Sequence, residues 1–272
     1  MKLFILPFDH RSSFLKISKK KKEIQELKQI IFEGFLKVYE KYPRKKELAI
    51  LIDEEYGEKI IKEAKEKNIQ ICLPVEKSGQ DIFQLAYRDL NKIKKINPAY
   101  IKVLVRYNPF NIEENKKQLK SLKVLNSFCG KNNYKLMFEL LVPPTKLDLK
   151  LKKDYDKYLR FDRTLQAIEE IQKEIKVDIW KLEGFKASQW EEIIARIDKK
   201  AKVIFLGRGE SKQKINQWIK EAKDTEGIIG FAIGRTTFLS PIKKYLAKKI
   251  SREKCSLEIA KNFKSFIARF EQ

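Results

Sequence analysis

The 272-residue chain contains one histidine, three cysteines, eight prolines and ten glycines. A single histidine, His10, excludes a histidine-based zinc site and leaves any Ser-His-Asp triad dependent on that one residue. Cys72, Cys129 and Cys255 are far apart and odd in number. They predict neither a disulfide framework nor a metal site, and they suit a reducing cytoplasm. No Pro-, Gly- or Ser-rich linker interrupts the chain, so residues 1–272 are expected to form one domain. No run approaches the ~20 apolar residues that cross a bilayer, so no membrane partner is expected. The apolar start, MKLFILPFDHR, is too short for a signal peptide and is read as a first strand. No GxGxxG follows that strand, which argues against an open, doubly wound nucleotide-binding sheet.

What is abundant is lysine. Lys and Arg number 60 against 37 Asp and Glu, a net charge of +23, and 49 of the 60 are lysines. The lysines are spread along helix-like segments, with one dense run at Lys19 to Lys22. A nucleic-acid binder is one reading of that charge. No nucleic-acid motif accompanies it, so a solvated Lys-rich surface is preferred and no nucleic-acid partner is expected.

Eight short apolar runs punctuate the chain, at 3–9, 47–53, 69–76, 100–108, 134–142, 177–184, 201–209 and 227–236. Each has the length and the Ile/Val/Leu/Phe content of a buried strand. Amphipathic segments lie between them, among them SQWEEIIARIDKKA (188–201) and SKQKINQWIKEAK (211–223), both opening on a serine able to cap a helix. Two further helices are expected at 239–250 and 252–270. Eight apolar strands alternating with helices predict a (β/α)₈ TIM barrel. The irregular stretch around 146–158 follows the fifth strand and is read as a loop over the active face. Trp180, Trp190 and Trp218 read as packing residues, as do Leu257, Ile259, Phe263, Phe266 and Phe270 on the last helix.

In such a barrel the site lies at the C-terminal ends of the strands. Those ends carry Asp9, His10 and Arg11; Asp53 and Glu54; Glu76 and Lys77; Arg106 and Asn108; Arg208; and Arg235. Strand alternation puts Lys102 with Arg106, and Lys181 with Glu183, on common faces, with Glu139 similarly placed on the fifth strand. If those faces point inward, Lys102, Glu139 and Lys181 share one desolvated pocket. Burial and a second ammonium both lower a lysine's proton affinity, and a neutral amine can attack a carbonyl to form a Schiff base. A carboxylate beside it can move the protons. An inert barrel ion pair is the competing reading. Gly207, Arg208, Gly209, Gly234 and Arg235 follow strands seven and eight, where barrels often bind phosphate on backbone N–H groups and a helix N-terminus. Asp53, Glu54 and Glu76 could hold Mg²⁺, but capping and surface roles are preferred, so no metal and no cofactor are expected.

The segments ILPFDHRSSF, PVEKSGQ, IKVLVRYNP, FELLVPPT, DIWKLEG, FLGRG and GFAIGRTTF together resemble the uncharacterised domain fused behind 5-dehydro-2-deoxygluconokinase in some bacteria. This resemblance covers nearly the whole chain. More distantly, the pattern is similar to the class I tagatose-1,6-bisphosphate aldolase family. That resemblance implies a (β/α)₈ barrel with a Schiff-base lysine at Lys181, a proton-shuttling Glu139 and a second lysine at Lys102. It also implies Asp9 near substrate hydroxyls and Arg235 on a phosphate. The family's Asp-Gln-Arg is here Asp9-His10-Arg11, and Glu183 stands in a Glu-Gly turn that differs from the family's usual ending. Arg11, Glu76, Lys77, Arg106, Asn108 and Glu183 complete the expected substrate-binding set. The implied activity is cleavage of a phosphorylated ketose or keto-sugar acid. One candidate substrate is 5-dehydro-2-deoxygluconate 6-phosphate, giving dihydroxyacetone phosphate and malonate semialdehyde. A non-catalytic sugar-phosphate-binding barrel is the alternative, and either could form a homo-oligomer. No Gly-Ala-Gly-Asp anion hole of the sugar-kinase kind is present, so no kinase activity is expected.

Overall fold

The computed structural model describes residues 2–150 and 154–272. Eight strands, β1 (Leu3–Pro7), β2 (Leu48–Leu51), β3 (Gln70–Pro74), β4 (Tyr100–Arg106), β5 (Lys135–Leu141), β6 (Ile179–Leu182), β7 (Lys202–Leu206) and β8 (Ile228–Ala232), close into a barrel in sequence order. Every neighbouring pair is parallel, including the β1–β8 seam, where Leu3 pairs with Gly230. This is the (β/α)₈ barrel that the eight apolar runs predict. The runs read as continuous apolar stretches because one side of each strand faces the barrel lumen and the other faces helices.

The helices are α1 (Arg11–Leu15), α2 (Lys21–Tyr39), α3 (Glu54–Glu66), α4 (Asn91–Ile96), α5 (Ile112–Lys131), α6 (Lys146–Lys150), α7 (Tyr155–Tyr158), α8 (Arg160–Gln172), α9 (Ala187–Arg196), α10 (Lys212–Ala222), α11 (Arg235–Leu246) and α12 (Arg252–Glu271). Local chemistry explains their starts. The Asp53 carboxylate accepts from the Tyr56 N–H at the head of α3, and the Ser211 hydroxyl accepts from the Lys214 N–H at the head of α10, each satisfying a helix donor that has no partner within the helix. Ser188 does not play the same part. The helix α9 begins one residue earlier, with Lys186 in the capping position. Similarly, α11 starts at Arg235, immediately behind β8, whereas the sequence pattern places that helix at 239–250.

Two apolar layers hold the barrel. The lumen is filled by Leu3, Ile5, Ala49, Leu51, Cys72, Tyr100, Met137, Ile179, Ile204 and their neighbours. A larger shell between sheet and helices includes Trp180, Trp190 and Trp218. On α12, Ile259, Phe263, Phe266 and Phe270 join that shell, but Leu257 is 50% exposed and faces away. None of the helices described is long and apolar enough to cross a membrane.

The seam leaves no room at Gly230, where a Cβ would come 1.9 Å from the Leu3 carbonyl oxygen. Gly230→Ala must push β8 away from β1 or break their pairing. It is expected to cost at least the ~1–3 kcal/mol typical of an overpacked core. Chemical denaturation checks this, and an unchanged midpoint would contradict it.

Candidate active site

The lumen becomes polar one layer above its apolar floor. Tyr100, Met137 and Ile179 belong to the floor, and the residues two positions on are Lys102, Glu139 and Lys181. Because strand side chains alternate, these three also face the lumen, now at its C-terminal end. Glu139 and Lys181 are direct partners across β5 and β6. Their burial is nearly complete: Lys102 is 1% exposed, Lys181 4% and Glu139 8%.

Glu139 Oε2 joins the two lysines, 2.8 Å from Lys181 Nζ and 2.8 Å from Lys102 Nζ. Lys102 also reaches Glu76 Oε1 at 2.7 Å and Asp9 Oδ2 at 3.4 Å. One ammonium therefore serves three carboxylates. Lys102 accordingly keeps its charge, as a second ammonium beside Lys181 requires. Burial does lower its proton affinity, but Glu139, Glu76 and Asp9 outweigh burial and hold it well above the ordinary lysine range. Burial raises the Glu139 and Asp9 carboxyls, yet the lysines prevail. Glu139 is pushed down to about 2, and Asp9 also lies well below its usual range. Glu76 differs, because burial wins over Lys102 and raises its carboxyl.

Above this cluster opens a cavity of about 550 Å³. Glu139 and Lys181 line it, with Arg106, Glu183, Gly207, Arg208, Gly209, Gly234 and Arg235. So do His10 and three groups from the connection after β5: Tyr155, Asp156 and Arg160. Five cationic side chains (Arg106, Arg160, Lys181, Arg208 and Arg235) face three carboxylates, on Glu139, Asp156 and Glu183. That balance favours an anionic occupant. His10 does not add to the charge, since burial, with Arg235 and Lys181 nearby, pushes it down to about 4 against the pull of Asp9.

The β7 and β8 ends meet through Arg235, whose Nη2 donates to the Arg208 carbonyl at 2.5 Å. Arg208 and Gly209 both have positive φ, +49° and +81°. This left-handed turn, unusual for arginine, points the Arg208 side chain toward Glu183, with Nη1 2.7 Å from Oε1. Glu183 also faces Arg160 Nη1 at 3.6 Å. Burial raises its carboxyl in spite of both arginines.

Several expected site residues stand elsewhere. Lys77 is exposed and donates to Gln84 Oε1 at 3.2 Å. The chain beyond β3 folds back, with Glu76 bridging to Leu85, and this carries Lys77 outward. Asn108 is buried outside the cavity lining and donates to the Pro143 carbonyl at 2.8 Å and to Asp148 Oδ2 at 3.1 Å, a loop-tying role. Arg11 donates to the Glu76 carbonyl at 2.8 Å. Asp9, Glu76 and Lys102 are not part of the cavity lining; they reach it through Glu139 and, for Asp9, through His10. Asp53 caps α3 and pairs with the fully buried Lys28. Among the described residues no group of three or more His, Cys, Asp or Glu is placed to hold a metal ion.

Arg160, Tyr155 and Asp156 were not legible as site residues. Of the 146–158 segment, residues 151–153 lie outside the described part. The rest is anchored by Asp148, which accepts from the Thr145 N–H and hydroxyl, both at 2.8 Å, from Asn108 and, at 3.4 Å, from Arg163. These bonds hold the Asp148 carboxyl below its usual range although burial opposes them. Asp148→Ala leaves buried donors unpaired and is expected to cost about 1–3 kcal/mol. The folded-state proton affinity is depressed, so this stabilisation is present above the unfolded value and fades as pH falls below it. Denaturation at neutral and acidic pH therefore checks two things: the size of the loss, and its shrinkage in acid.

A family model described as an uncharacterized protein conserved in bacteria (DUF2090) matches residues 1–272. The chain belongs to the DUF2090 family. No curated protein matches it. Among solved structures, this DUF2090 barrel is similar to an archaeal fructose 1,6-bisphosphate aldolase, with 12% identity, a TM-score of 0.63, and coverage of 100% of this chain and 94% of that one. It is similar to a Schiff base forming fructose-1,6-bisphosphate aldolase at 12% identity and TM-score 0.62, covering 98% and 93%. It is also similar to the fructose-bisphosphate aldolase from Slackia heliotrinireducens at 9% identity and TM-score 0.61, covering 95% and 85%. At these identities the likeness is one of fold.

Proposed function

We propose that this DUF2090 protein is a class I aldolase, a lyase that cleaves a phosphorylated ketose or keto-sugar acid through a Schiff base on Lys181. One observation carries the reading. Lys181 is a buried lysine that opens into an anion-favouring cavity and is ion-paired with a carboxylate that burial has not neutralised. Burying a lysine on a strand is costly, and this one has a proton acceptor 2.8 Å away. Fold likeness to aldolases, one of them Schiff base forming, agrees with it.

In this reading Lys181 Nζ attacks the substrate carbonyl and water leaves as the iminium forms. The iminium withdraws the electron pair of the breaking C–C bond and yields an enamine. Glu139 takes and returns the protons. Arg235, Arg208 and the backbone at Gly207, Gly209 and Gly234 hold the phosphate, next to the N-terminus of α11. Arg106 and Arg160 face the rest of the substrate. A keto-sugar acid such as 5-dehydro-2-deoxygluconate 6-phosphate suits a cavity with arginines on several sides. Its C3–C4 cleavage would give malonate semialdehyde and dihydroxyacetone phosphate.

The test is borohydride reduction in the presence of dihydroxyacetone phosphate, followed by peptide mapping. A reduced adduct on Lys181 is the expected result. The absence of an adduct with this ketose and with a panel of phosphorylated keto-sugars would turn the site into a non-catalytic sugar-phosphate receptor.

A further inference from the structure

We infer that Glu76 is a positioning residue that stores, by way of Glu139 and Lys102, the proton Lys181 sheds before it attacks a carbonyl. The inference rests on the Schiff-base reading of Lys181. Its ground is a continuous line of short contacts. Lys181 Nζ lies 2.8 Å from Glu139 Oε2, that oxygen lies 2.8 Å from Lys102 Nζ, and that nitrogen lies 2.7 Å from Glu76 Oε1. The line starts in the cavity and ends outside its lining, in a side chain that no substrate in the cavity touches. Glu76 is buried, and its second oxygen, Oε2, has no hydrogen-bond partner among the described residues.

The groups facing Glu76 come from each element around it. Lys102 reaches it from β4, Asp9 stands beside Lys102 from the end of β1, and Arg11 from α1 binds its backbone carbonyl. Glu139 on β5 and Lys181 on β6 complete the cluster. Lys102 holds its own proton too firmly to give it up alone, and Glu139 and Asp9 are poor acceptors. Glu76 is the member of the cluster whose proton affinity burial has raised.

The transfer balances. A proton passes from the Lys181 ammonium to Glu139, one passes from Glu139 to Lys102, and one passes from Lys102 to Glu76. Lys181 becomes a neutral amine and Glu76 a carboxylic acid, while Glu139 and Lys102 end as they began. The net charge of the buried cluster does not change, which matters because creating net charge in a low-dielectric interior is costly. The amine then adds to the carbonyl, and the carbinolamine's own N–H proton moves to its oxygen. The stored proton returns by the same line to that hydroxyl, water leaves, and the iminium and the Glu76 carboxylate result.

Glu76→Gln keeps the size and the oxygen facing Lys102 but cannot take a proton. Adduct formation at Lys181, trapped with borohydride and dihydroxyacetone phosphate, is followed against pH. The variant is expected to be about tenfold slower than wild type at mildly acidic pH, equivalent to about one unit of displaced acid limb. The two should converge in alkali, where hydroxide replaces Glu76 as the acceptor. Glu76→Asp should recover most of the acid-side rate. A loss by the same factor at every pH, with no rescue by Asp, would mean that Glu76 merely balances Lys102, and would overturn the inference. If melting shows that the Gln variant is unfolded, Glu76→Asp carries the test alone. Its carboxyl can still take the proton, so any loss should be confined to the acid side with the alkaline rate unchanged, and a uniform loss overturns the inference again. Wild-type protein that forms no adduct with any phosphorylated ketose brings down the Schiff-base reading itself. An adduct with an unshifted acid limb brings down only the role of Glu76.

Discussion

Lys181→Met is expected to abolish the borohydride-trapped adduct and to lower C–C cleavage by at least roughly 10³-fold, the scale of losing a nucleophile that works as a unit with its partners. Methionine suits the test because it nearly matches the lysine stem in volume, so the lumen above Ile179 stays filled. Glu139 loses one of its two cations but keeps Lys102 at 2.8 Å, so it is not left unpaired. Loss of activity with a native melting transition would therefore report chemistry, not collapse. Lys181→Arg separates charge from nucleophilicity. Arginine preserves a cation beside Glu139 but stays protonated and cannot form the imine, so it should be equally inactive. Cleavage that persists in either variant, on any substrate the wild type accepts, would falsify the assignment of Lys181 as nucleophile.

The barrel was legible because its signal is redundant. Each strand is buried on both sides, so eight apolar runs survive in the sequence even though single boundaries move by several residues. The meeting of Lys102, Glu139 and Lys181 was legible from period-two alternation combined with the rule that barrel sites lie at the strand C-termini. Other parts depend on where the chain goes after it leaves a strand. Lys77 follows Glu76 directly, yet a backfold to Leu85 sends it to solvent. Arg160 lines the cavity from the start of α8, beyond the connection that Asp148 helps to anchor. Lys28 sits within an ordinary amphipathic stretch of α2, and nothing local marks it as a buried partner of Asp53 lying 5.2 Å from the Phe14 ring centre and 5.4 Å from that of Tyr56. What holds Lys102 so firmly charged is likewise non-local. Its burial was legible, but the three carboxylates around it come from β1, β5 and the segment after β3.

That convergence makes Lys102→Met the most damaging substitution for stability. Removing one partner of a buried ion pair typically costs ~3–5 kcal/mol, because the other charge stays buried without compensation. Here the ammonium lost serves Asp9, Glu76 and Glu139 together, so a loss at or above that range is expected. Only Lys181 remains in contact with Glu139, and neutral His10 gives Asp9 little help. The pH dependence identifies the cause. In wild type, Glu139 is depressed to about 2 from its usual 4.5, so its stabilisation is complete above about pH 4.5 and is lost as pH falls toward 2. In the variant Asp9 and Glu76 lose the ammonium that opposes their burial, and burial then sets their proton affinities above the unfolded values. Folding then takes up protons, and stability is gained, not lost, on mild acidification. The gap in unfolding free energy between the two proteins should therefore be widest near neutrality and narrow as pH approaches the ordinary carboxylate range. A gap that stays constant across this window would assign the cost to packing around the missing amine. A gap under about 1 kcal/mol at neutral pH would place Lys102 with surface pairs and remove the electrostatic basis of the site.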